Sequence, residues 1–270
     1  KVTKFKVGDK VLIEPGVPDD TCEYCRTGRY NICPGVDFMA TQPNYKGALT
    51  QYMTHPEEWT YHIPEGMTTM EGALVEPAAV GMHAAVLGGA QPGKSIVILG
   101  GGTIGLMVLQ ACISLGATDI TVVDVIEKRL ELAKKLGAAR VINGKEEDTV
   151  AVLRSEEMYG DHGVDLVFEA AGAVFTAQQA VQIVSRGGKI MMVGTQSKPV
   201  PIDFLKINRE VTIQTSFRYC NNFPQTIEAI SSGRFNVKDM VTNIYDYEDV
   251  QKAFEEAIDP VKKTEMVKGV

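Results

Sequence analysis

The sequence predicts an α/β protein in which a doubly wound parallel sheet is joined to a second, partly β unit. From about residue 77 onward, short apolar segments alternate with helical patterns. The preceding residues instead form short segments that Pro and Gly interrupt. A glycine-rich turn, Gly100-x-Gly102-x-x-Gly105, joins the first all-apolar segment to a helical pattern, as in nucleotide-binding sheets.

Six strands are predicted for the parallel sheet, joined by helices of about ten to fifteen residues. An all-apolar run such as Ser95–Leu99 is typical of a strand covered on both faces. The strands are predicted at residues 95–99, 120–123, 140–142, 164–168, 189–193 and 211–215. The helices are predicted at 103–115, 127–136, 146–158 and 175–184, with two more at 223–232 and 247–258. In the amino-terminal part, Lys10–Ile13 and Leu49–Met53 are predicted strands.

Composition excludes several classes of protein. The chain has 270 residues, 44% hydrophobic and 23% charged, which is typical of a soluble globular protein of one or two domains. Acidic residues outnumber basic ones by 34 to 27, so a net charge of −7 argues against a nucleic-acid partner. The longest uncharged stretch, 95–118, contains three consecutive glycines that would break a spanning helix, so no membrane partner is expected.

The glycine-rich turn predicts a dinucleotide site. Gly100 permits the tight turn, Gly102 lets a pyrophosphate approach the backbone, and Gly105 lets the helix pack on the strand. Asp124 ends the next predicted strand, where it can accept both hydroxyls of the adenosine ribose and repel a 2′-phosphate. NAD is therefore favoured over NADP. Two alternatives stay open: a glycine-rich turn in a protein without nucleotide, and NADP, which the basic pair at 128–129 would suit.

The cysteines of the loop that follows the first strand have the spacing of a structural zinc site. Cys22-x-x-Cys25 is followed eight residues later by Cys33, and Asp19 precedes Cys22 by three residues as the candidate fourth ligand. The alternative is three reduced cysteines without metal. A redox pair is disfavoured because this Cys-x-x-Cys does not open a helix after a strand. The odd total of five cysteines and the lack of a secretory segment at the start predict a cytoplasmic protein.

These features, in this order, resemble the zinc-dependent medium-chain dehydrogenase/reductase family, and most closely its polyol branch of sorbitol and xylitol dehydrogenases. The matching segments, besides the dinucleotide motif, are Val7–Val11, Thr27–Cys33, Ala73–Gly81 and Phe217–Asn221. The resemblance implies an NAD-binding Rossmann domain at residues 79–217. It also implies a split, partly β GroES-like catalytic domain made of residues 1–78, with the zinc loop at 19–33, and residues 218–270.

The resemblance further implies NAD-linked oxidation of a secondary alcohol of a small polyol to a ketose at a catalytic zinc, in a homodimer or homotetramer. Glu76 would be catalytic and would complete the zinc site, and Arg218 and Tyr219 would bind polyol hydroxyls. Besides the motif glycines, NAD would be lined by Ile104, Asp124, Arg129, Val193, Gly194, Thr195, Ser216, Phe217 and Arg218. Without the resemblance, Glu76 before Pro77 is explained as an acid at a helix N-terminus, and Arg218 and Tyr219 as a strand end.

Two departures from the family pattern qualify this expectation. The family's catalytic cysteine and its His-Glu pair precede the segment that matches Lys1, so we expect this chain to lack them and to show no appreciable polyol dehydrogenase activity alone. Asp19 stands where the usual zinc loop has cysteine. The alternatives are a catalytically silent NAD-binding fragment and a zinc dehydrogenase of the 2,3-butanediol or threonine type.

Overall fold

The computed structural model describes residues 2–42 and 46–270. Its amino-terminal part consists of short strands around one short helix, namely β1 (Val11–Ile13), β2 (Gly16–Val17), α1 (Glu23–Arg26), β3 (Asp37–Phe38) and β4 (Thr60–His62). Strand β1 pairs with β4 and β2 with β3, both antiparallel. This part of the chain therefore contributes two small ribbons rather than a layer of its own.

The strand predicted at Leu49–Met53 is wrong. The backbone there is irregular, and no strand in the described part of the chain pairs with it. Its apolar side chains face solvent, with Leu49 62% and Tyr52 89% exposed. An apolar run becomes a strand only where a neighbouring strand and a covering layer satisfy its backbone and side chains, and this segment has neither among the described residues.

Two helices lead into the large sheet, α2 (Thr69–Ala73) and α3 (Val75–Gly88). A capping box starts α2: the Thr68 hydroxyl accepts the N–H of Glu71, and the Glu71 carboxylate accepts the N–H of Thr68. Helix α3 ends at Gly89, whose φ of 78° suits glycine. Glu76 lies in the first turn of α3, so the start of this helix places the predicted catalytic carboxylate.

The central sheet has six parallel strands, as predicted. They are β5 (Ser95–Leu99), β6 (Asp119–Asp124), β7 (Arg140–Asn143), β8 (Val164–Glu169), β9 (Val184–Met192) and β10 (Thr212–Thr215). Their spatial order is β10-β9-β8-β5-β6-β7. The strand order reverses between β5 and β8, and in open sheets of this kind ligands bind at that point, beyond the carboxyl ends of the strands.

The helices between these strands are α4 (Thr103–Ser114), α5 (Glu127–Lys135), α6 (Thr149–Leu153) and α7 (Val174–Ile183). The helix predicted at 146–158 is only five residues long, because Asp148 caps its start by accepting the N–H groups of Val150 and Ala151. The last connection, residues 193–211, contains turns and no helix. Pro199 and Pro201 interrupt it, so the expectation of a helix between every pair of strands is wrong here.

The carboxyl-terminal segment returns to the amino-terminal part. It contains α8 (Phe223–Ser231), β11 (Val241–Asn243), α9 (Val250–Ile258), α10 (Lys262–Glu265) and β12 (Lys268–Gly269), with β11 and β12 paired in parallel. Helix α8 lies beside α3, where the Asn222 amide donates to the carbonyl of Ala79. Both predicted helices of this segment are present. None of the helices in the described residues is long and apolar enough to cross a bilayer.

Apolar layers cover both faces of the sheet. Along β5, Ile96 and Ile98 belong to the layer that contains α3, α4 and α8, whereas Val97 and Leu99 belong to the layer that contains α6 and α7. All four side chains are fully buried. The all-apolar run thus reflects burial on both sides, as the sequence predicts.

Helices α3 and α4 pack closely at Gly81. A Cβ atom there would lie 2.5 Å from the carbonyl carbon of Met107 and 2.6 Å from its oxygen. We expect Gly81→Ala to lower the free energy of unfolding by about 1–3 kcal/mol, although alanine is the better helix former by about 1 kcal/mol. Urea unfolding followed by circular dichroism measures this change.

The matched control is Val86→Ala, in the same helix, where the side chain is 51% exposed. It should change the free energy of unfolding by no more than about 0.5 kcal/mol. If Gly81→Ala is as stable as the parent, α3 and α4 can move apart to accommodate the methyl group without loss of stability, which would contradict this prediction.

Candidate active site and metal centre

The glycine-rich turn has the geometry of a dinucleotide-binding loop. Gly100 follows β5 with a φ of 108°, and a Cβ atom there would lie 2.8 Å from the amide nitrogen of Ala171. At Gly105, a Cβ atom would overlap the carbonyl oxygen of Gly100. At Gly102 the space is open, since a Cβ atom would come no closer than 3.9 Å to Arg129 Nη1. Gly102 begins α4 without a side-chain cap, which leaves the first turn available to an anion.

Asp124 braces this loop. Its side chain is buried, and its Oδ2 accepts the N–H of Gly101 at 2.7 Å. Its Oδ1 accepts the N–H groups of Val125 and Ile126 at 2.8 and 2.9 Å. Arg129 Nη1 lies 3.6 Å from Oδ2. A carboxylate has about four acceptor sites, so one remains for a single ribose hydroxyl, and the expectation that Asp124 accepts both hydroxyls is wrong because three backbone N–H groups already occupy it.

A cleft of about 480 Å³ lies beyond the ends of β5, β6 and β8. Four predicted cofactor residues line it, namely Gly100, Gly102, Asp124 and Arg129. The lining does not include Ile104, Val193–Thr195 or Ser216–Arg218. Ile104 lies in the first turn of α4, and the other two segments follow β9 and β10, so the predicted cofactor residues extend along the carboxyl edge of the sheet rather than around one cavity.

Glu169, at the end of β8, is a residue of this edge that sequence reasoning missed. It is completely buried. Its Oε1 accepts the N–H groups of Ala171 and Gly172 and the hydroxyl of Thr176, and its Oε2 accepts the side-chain amide of Gln196 at 2.7 Å. The carboxylate thereby joins the turns that follow β8 and β9. An acid directly after the apolar run Leu166–Phe168 was the available signal.

The structure brings Glu76, Arg218 and Tyr219 together. Glu76 is half-buried, and burial raises the pKa of its carboxyl group. The nearby Tyr219 hydroxyl and the positive charges of Lys268 and Arg218 oppose this rise in the pKa of Glu76 without cancelling it. Lys268 was not foreseen, because the carboxyl-terminal strand that carries it shows no motif in the sequence.

Arg218 and Tyr219 present buried polar groups that no hydrogen bond of ordinary geometry satisfies. The Arg218 guanidinium lies over the ring of Phe38, 3.9 Å from its centroid, and 4.8 Å from that of Phe217. Its Nη1 and the Tyr219 hydroxyl are buried and make no hydrogen bond of ordinary geometry with any described residue, and the same holds for Ser216 Oγ. An unmet buried donor costs about 1–3 kcal/mol, so these groups are suited to a ligand that supplies oxygen atoms.

The predicted zinc ligands also converge. The ligand atoms of Asp19, Cys22, Cys25 and Cys33 all lie within 4.8 Å of one another. A tetrahedral zinc with Zn–S bonds of about 2.3 Å requires separations of about 3.8 Å between ligand atoms. The four side chains therefore fit a zinc ion with small adjustments.

Local hydrogen bonds prepare this cluster. The N–H groups of Cys22 and Thr21 donate to the Asp19 carboxylate and hold the pKa of Asp19 well below its usual range. Desolvation raises the pKa of the Cys25 thiol to about 12, whereas the N–H of Cys25 lowers the pKa of the Cys22 thiol. Asp19 is thus ionised at neutral pH, the form in which a carboxylate can bind zinc.

No second cluster of this kind occurs in the described ranges, since the Asp19 group is the only set of three or more His, Cys, Asp or Glu side chains within reach of one metal ion. Glu76 therefore has no partner ligands among residues 2–42 and 46–270. These residues by themselves do not fit the catalytic zinc that the resemblance implies.

Comparison with known proteins agrees with this fold and site. The family "Alcohol dehydrogenase GroES-like domain" matches residues 1–65, and the family "Zinc-binding dehydrogenase" matches residues 103–232. The first match covers the zinc loop, and the second begins within the dinucleotide turn, after Gly102, and covers the Arg218 segment.

Individual proteins match along the whole chain. The chain is 64% identical to the zinc-type alcohol dehydrogenase-like protein YdjJ of Escherichia coli K12 over 270 residues, which are 100% of this chain and 77% of that protein. It is 42% identical to a sorbitol dehydrogenase of Bacillus subtilis over 260 residues, 95% of this chain and 72% of that protein. A crystal structure of an Escherichia coli oxidoreductase/dehydrogenase superposes with a TM-score of 0.96 at 63% identity, covering 99% of this chain and 76% of that one.

The six-stranded parallel sheet, the dinucleotide turn and these matches agree with one another and confirm the resemblance seen in the sequence. The chain belongs to the zinc-dependent medium-chain alcohol dehydrogenase family, and the protein is an oxidoreductase.

Proposed function

We propose that this protein oxidises a secondary alcohol of a polyol to a ketose, with NAD as the hydride acceptor. The observation that carries the proposal is the pair of buried donors at Arg218 and Tyr219 beside the Glu76 carboxylate, neither of which makes a hydrogen bond of ordinary geometry. A polyol offers several hydroxyl groups, each both donor and acceptor, to such a mixed site. The similarity to a sorbitol dehydrogenase supports the same substrate class.

In this proposal the dinucleotide loop holds the cofactor. The N–H groups at the start of α4 bind the pyrophosphate, and Gly102 leaves room for it. Asp124 accepts a hydroxyl of the adenosine ribose. When bound, NAD would accept the hydride; the alcohol carbon would lose that hydride and its hydroxyl would release a proton to solvent, which yields the ketone and NADH.

The substrate is oriented by this chain's own side chains. Arg218 and Tyr219 donate hydrogen bonds to polyol oxygens, and Glu76 accepts one from a polyol hydroxyl. Because the Arg218 guanidinium lies against two aromatic rings, it keeps one orientation and loses little conformational freedom on binding. The predicted homo-oligomer, the cytoplasmic location and the domain boundaries at 78/79 and 217/218 stay predictions.

Cofactor preference depends on the charge of Asp124. We expect the chain to bind NAD more tightly than NADP, because the Asp124 carboxylate faces the 2′-phosphate as a like charge. Asp124→Ala should narrow the difference by about 1.5–3 kcal/mol, the contribution of a hydrogen bond to a charged group. Calorimetric titration with NADH and NADPH measures both affinities.

Asp119→Ala is the matched control, since Asp119 lies at the opposite end of the same strand β6. It removes the same charge and should leave the NADH/NADPH ratio unchanged. Equal affinity of the parent chain for both cofactors, or preference for NADPH, would contradict the assignment.

We also propose that the loop holds one structural zinc through Asp19, Cys22, Cys25 and Cys33. Protein purified without added metal should contain about one zinc per chain by elemental analysis. Asp19→Ala should release the metal faster to a chelator, because three ligands remain, whereas Asp19→Cys should retain it. A folded preparation that contains no zinc would contradict this assignment.

The control for ligand loss is Asp37→Ala, an exposed carboxylate on β3 outside the cluster. Its rate of zinc release should equal that of the parent. If Asp19→Ala and Asp37→Ala release zinc at the same rate, Asp19 is not a ligand.

Removal of the Tyr219 hydroxyl tests whether this side chain binds the polyol. Tyr219→Phe removes a buried hydroxyl that lies near the Glu76 carboxylate without a hydrogen bond of ordinary geometry, so the free energy of unfolding should change by no more than about 1 kcal/mol. The value of kcat/KM for polyols should nonetheless fall about two- to tenfold, the loss of one hydrogen bond to substrate. NADH formation with sorbitol, xylitol and 2,3-butanediol measures this, with zinc supplied.

The assay uses the 270-residue chain and a chimera that adds the residues of the 64% identical relative that the match does not cover. We expect turnover from the chimera alone, because the described residues offer only Glu76 to a catalytic zinc. Tyr52→Phe, an exposed tyrosine, is the control variant. Comparable turnover by both proteins would mean that the chain builds its catalytic centre from other residues. Unchanged kcat/KM in Tyr219→Phe would contradict the polyol assignment.

A further inference from the structure

We propose that the zinc loop (Asp19–Cys33) holds the substrate segment (Phe217–Asn221) in its binding conformation, with Tyr30 and Asn31 as positioning residues. The loop would then determine where the two donors of that segment lie, although it does not itself contact the polyol. The functional consequence rests on the proposed function, because the segment matters for catalysis only if it binds the polyol.

Three hydrogen bonds join the loop to the segment across more than 180 positions of sequence. Asn31 Nδ2 donates to the carbonyl of Phe217 at 2.8 Å. The N–H of Asn221 donates to the Tyr30 hydroxyl at 2.8 Å, and Asn221 Nδ2 donates to the carbonyl of Gly28 at 2.6 Å. Both ends of the substrate segment are thus fastened to the same loop.

The segment needs such fastening because its backbone is strained. Arg218 has a φ of 53° and Asn221 a φ of 58°, both in the left-handed region. That region is unfavourable for an arginine and persists only where surrounding contacts impose it. Without the bonds from the loop, Arg218 would relax toward an extended conformation and its guanidinium would leave the ring of Phe38.

The Tyr30 hydroxyl is itself fixed in direction. It donates to Glu14 Oε1 at 2.7 Å, and the Tyr61 hydroxyl donates to Glu14 Oε2 at 2.9 Å. Glu14 is completely buried. Since the Tyr30 proton points to Glu14, the oxygen lone pairs are left for the N–H of Asn221, and the accepting orientation is maintained by the buried carboxylate.

Predicted zinc ligands flank, in sequence, the two residues that contact the substrate segment. Tyr30 and Asn31 lie in a single 3₁₀ turn between the predicted ligands Cys25 and Cys33. Four bonds to one ion fix the path of the intervening chain. Occupancy of the site therefore restricts the turn that holds the substrate segment.

Cys220 provides a reporter inside the substrate segment, since its thiol is half-buried there. The alkylation rate of Cys220 by N-ethylmaleimide is measured by peptide mass spectrometry, which separates it from the cysteines of the loop. We expect the rate to rise about fivefold in zinc-loaded Tyr30→Phe, because of the two hydrogen bonds that the substitution removes only the one from Asn221 holds the segment, and the loss of one hydrogen bond shifts an equilibrium by about that factor. The Cys220 alkylation rate of the parent chain should also rise when a chelator removes the zinc, and by a larger factor than in Tyr30→Phe.

Tyr24→Phe is the matched control, because Tyr24 is an exposed tyrosine of the same loop. It should leave the Cys220 rate unchanged. Zinc content and the fluorescence of Trp59 show whether the loop of Tyr30→Phe is intact, since this single tryptophan lies 4.9 Å from the Tyr30 ring. An unchanged Cys220 rate in both Tyr30→Phe and the zinc-free chain would overturn the proposal.

Kinetics of the chimera separate this proposal from the proposed function. We expect Tyr30→Phe to raise the KM for sorbitol about fivefold, with the affinity for NADH unchanged. A faster Cys220 reaction with an unchanged KM would support the role of the loop and overturn the polyol assignment. An unchanged Cys220 rate, with Tyr219→Phe still impaired, would overturn the role of the loop alone.

Discussion

The buried carboxylate of Glu169 organises the carboxyl edge of the parallel sheet. A carboxylate removed from water is strongly unfavourable unless donors surround it, and here four donors do, three from the turns that follow β8 and β9 and one from the first turn of α7. The two turns touch closely: a Cβ atom at Gly194 would lie 2.8 Å from Glu169 Oε2, and one at Gly172 would lie 2.7 Å from the carbonyl oxygen of Thr195. The hydrogen bonds to Glu169 and the close contacts at Gly172 and Gly194 together fix the two turns relative to each other.

Two kinds of buried polar group therefore coexist in this molecule. Glu169 and Glu14 have every oxygen occupied by protein donors, and they stabilise the scaffold. Arg218 and Tyr219 keep donors that no described residue satisfies. Incomplete hydrogen bonding does not by itself identify a ligand site, since Gln196 Oε1 and Asn222 Oδ1 in the scaffold are also unsatisfied; what distinguishes Arg218 and Tyr219 is that their donors lie beside the Glu76 carboxylate. The zinc loop connects the two kinds, since Tyr30 contacts Glu14 on one side and the substrate segment on the other.

The features that were predicted correctly from the sequence are those that depend on residues close together in the chain. The parallel strands, the glycine-rich turn and the spacing of the cysteines were all visible in the sequence, because each depends on neighbouring residues. The predicted strand at 49–53 is wrong because no described strand pairs with it. The predicted helix at 146–158 is too long because Asp148 caps its start and turns follow Leu153. The resemblance named the residues of the Glu76 cluster, but spacing alone would not have done so. Contacts such as that between Asn31 and Phe217 join positions 186 residues apart and leave no periodic signal.

The bracing of the dinucleotide loop by Asp124 restricts how this enzyme can change coenzyme over evolutionary time. The same carboxylate that would face the ribose in the proposed NAD site also accepts the N–H groups of Gly101, Val125 and Ile126. A mutation that admitted a 2′-phosphate would at once leave three backbone donors without their acceptor. A lineage adopting NADP would first have to acquire another acceptor for those groups, so coenzyme choice here is protected by the folding of the loop as well as by selection on the reaction.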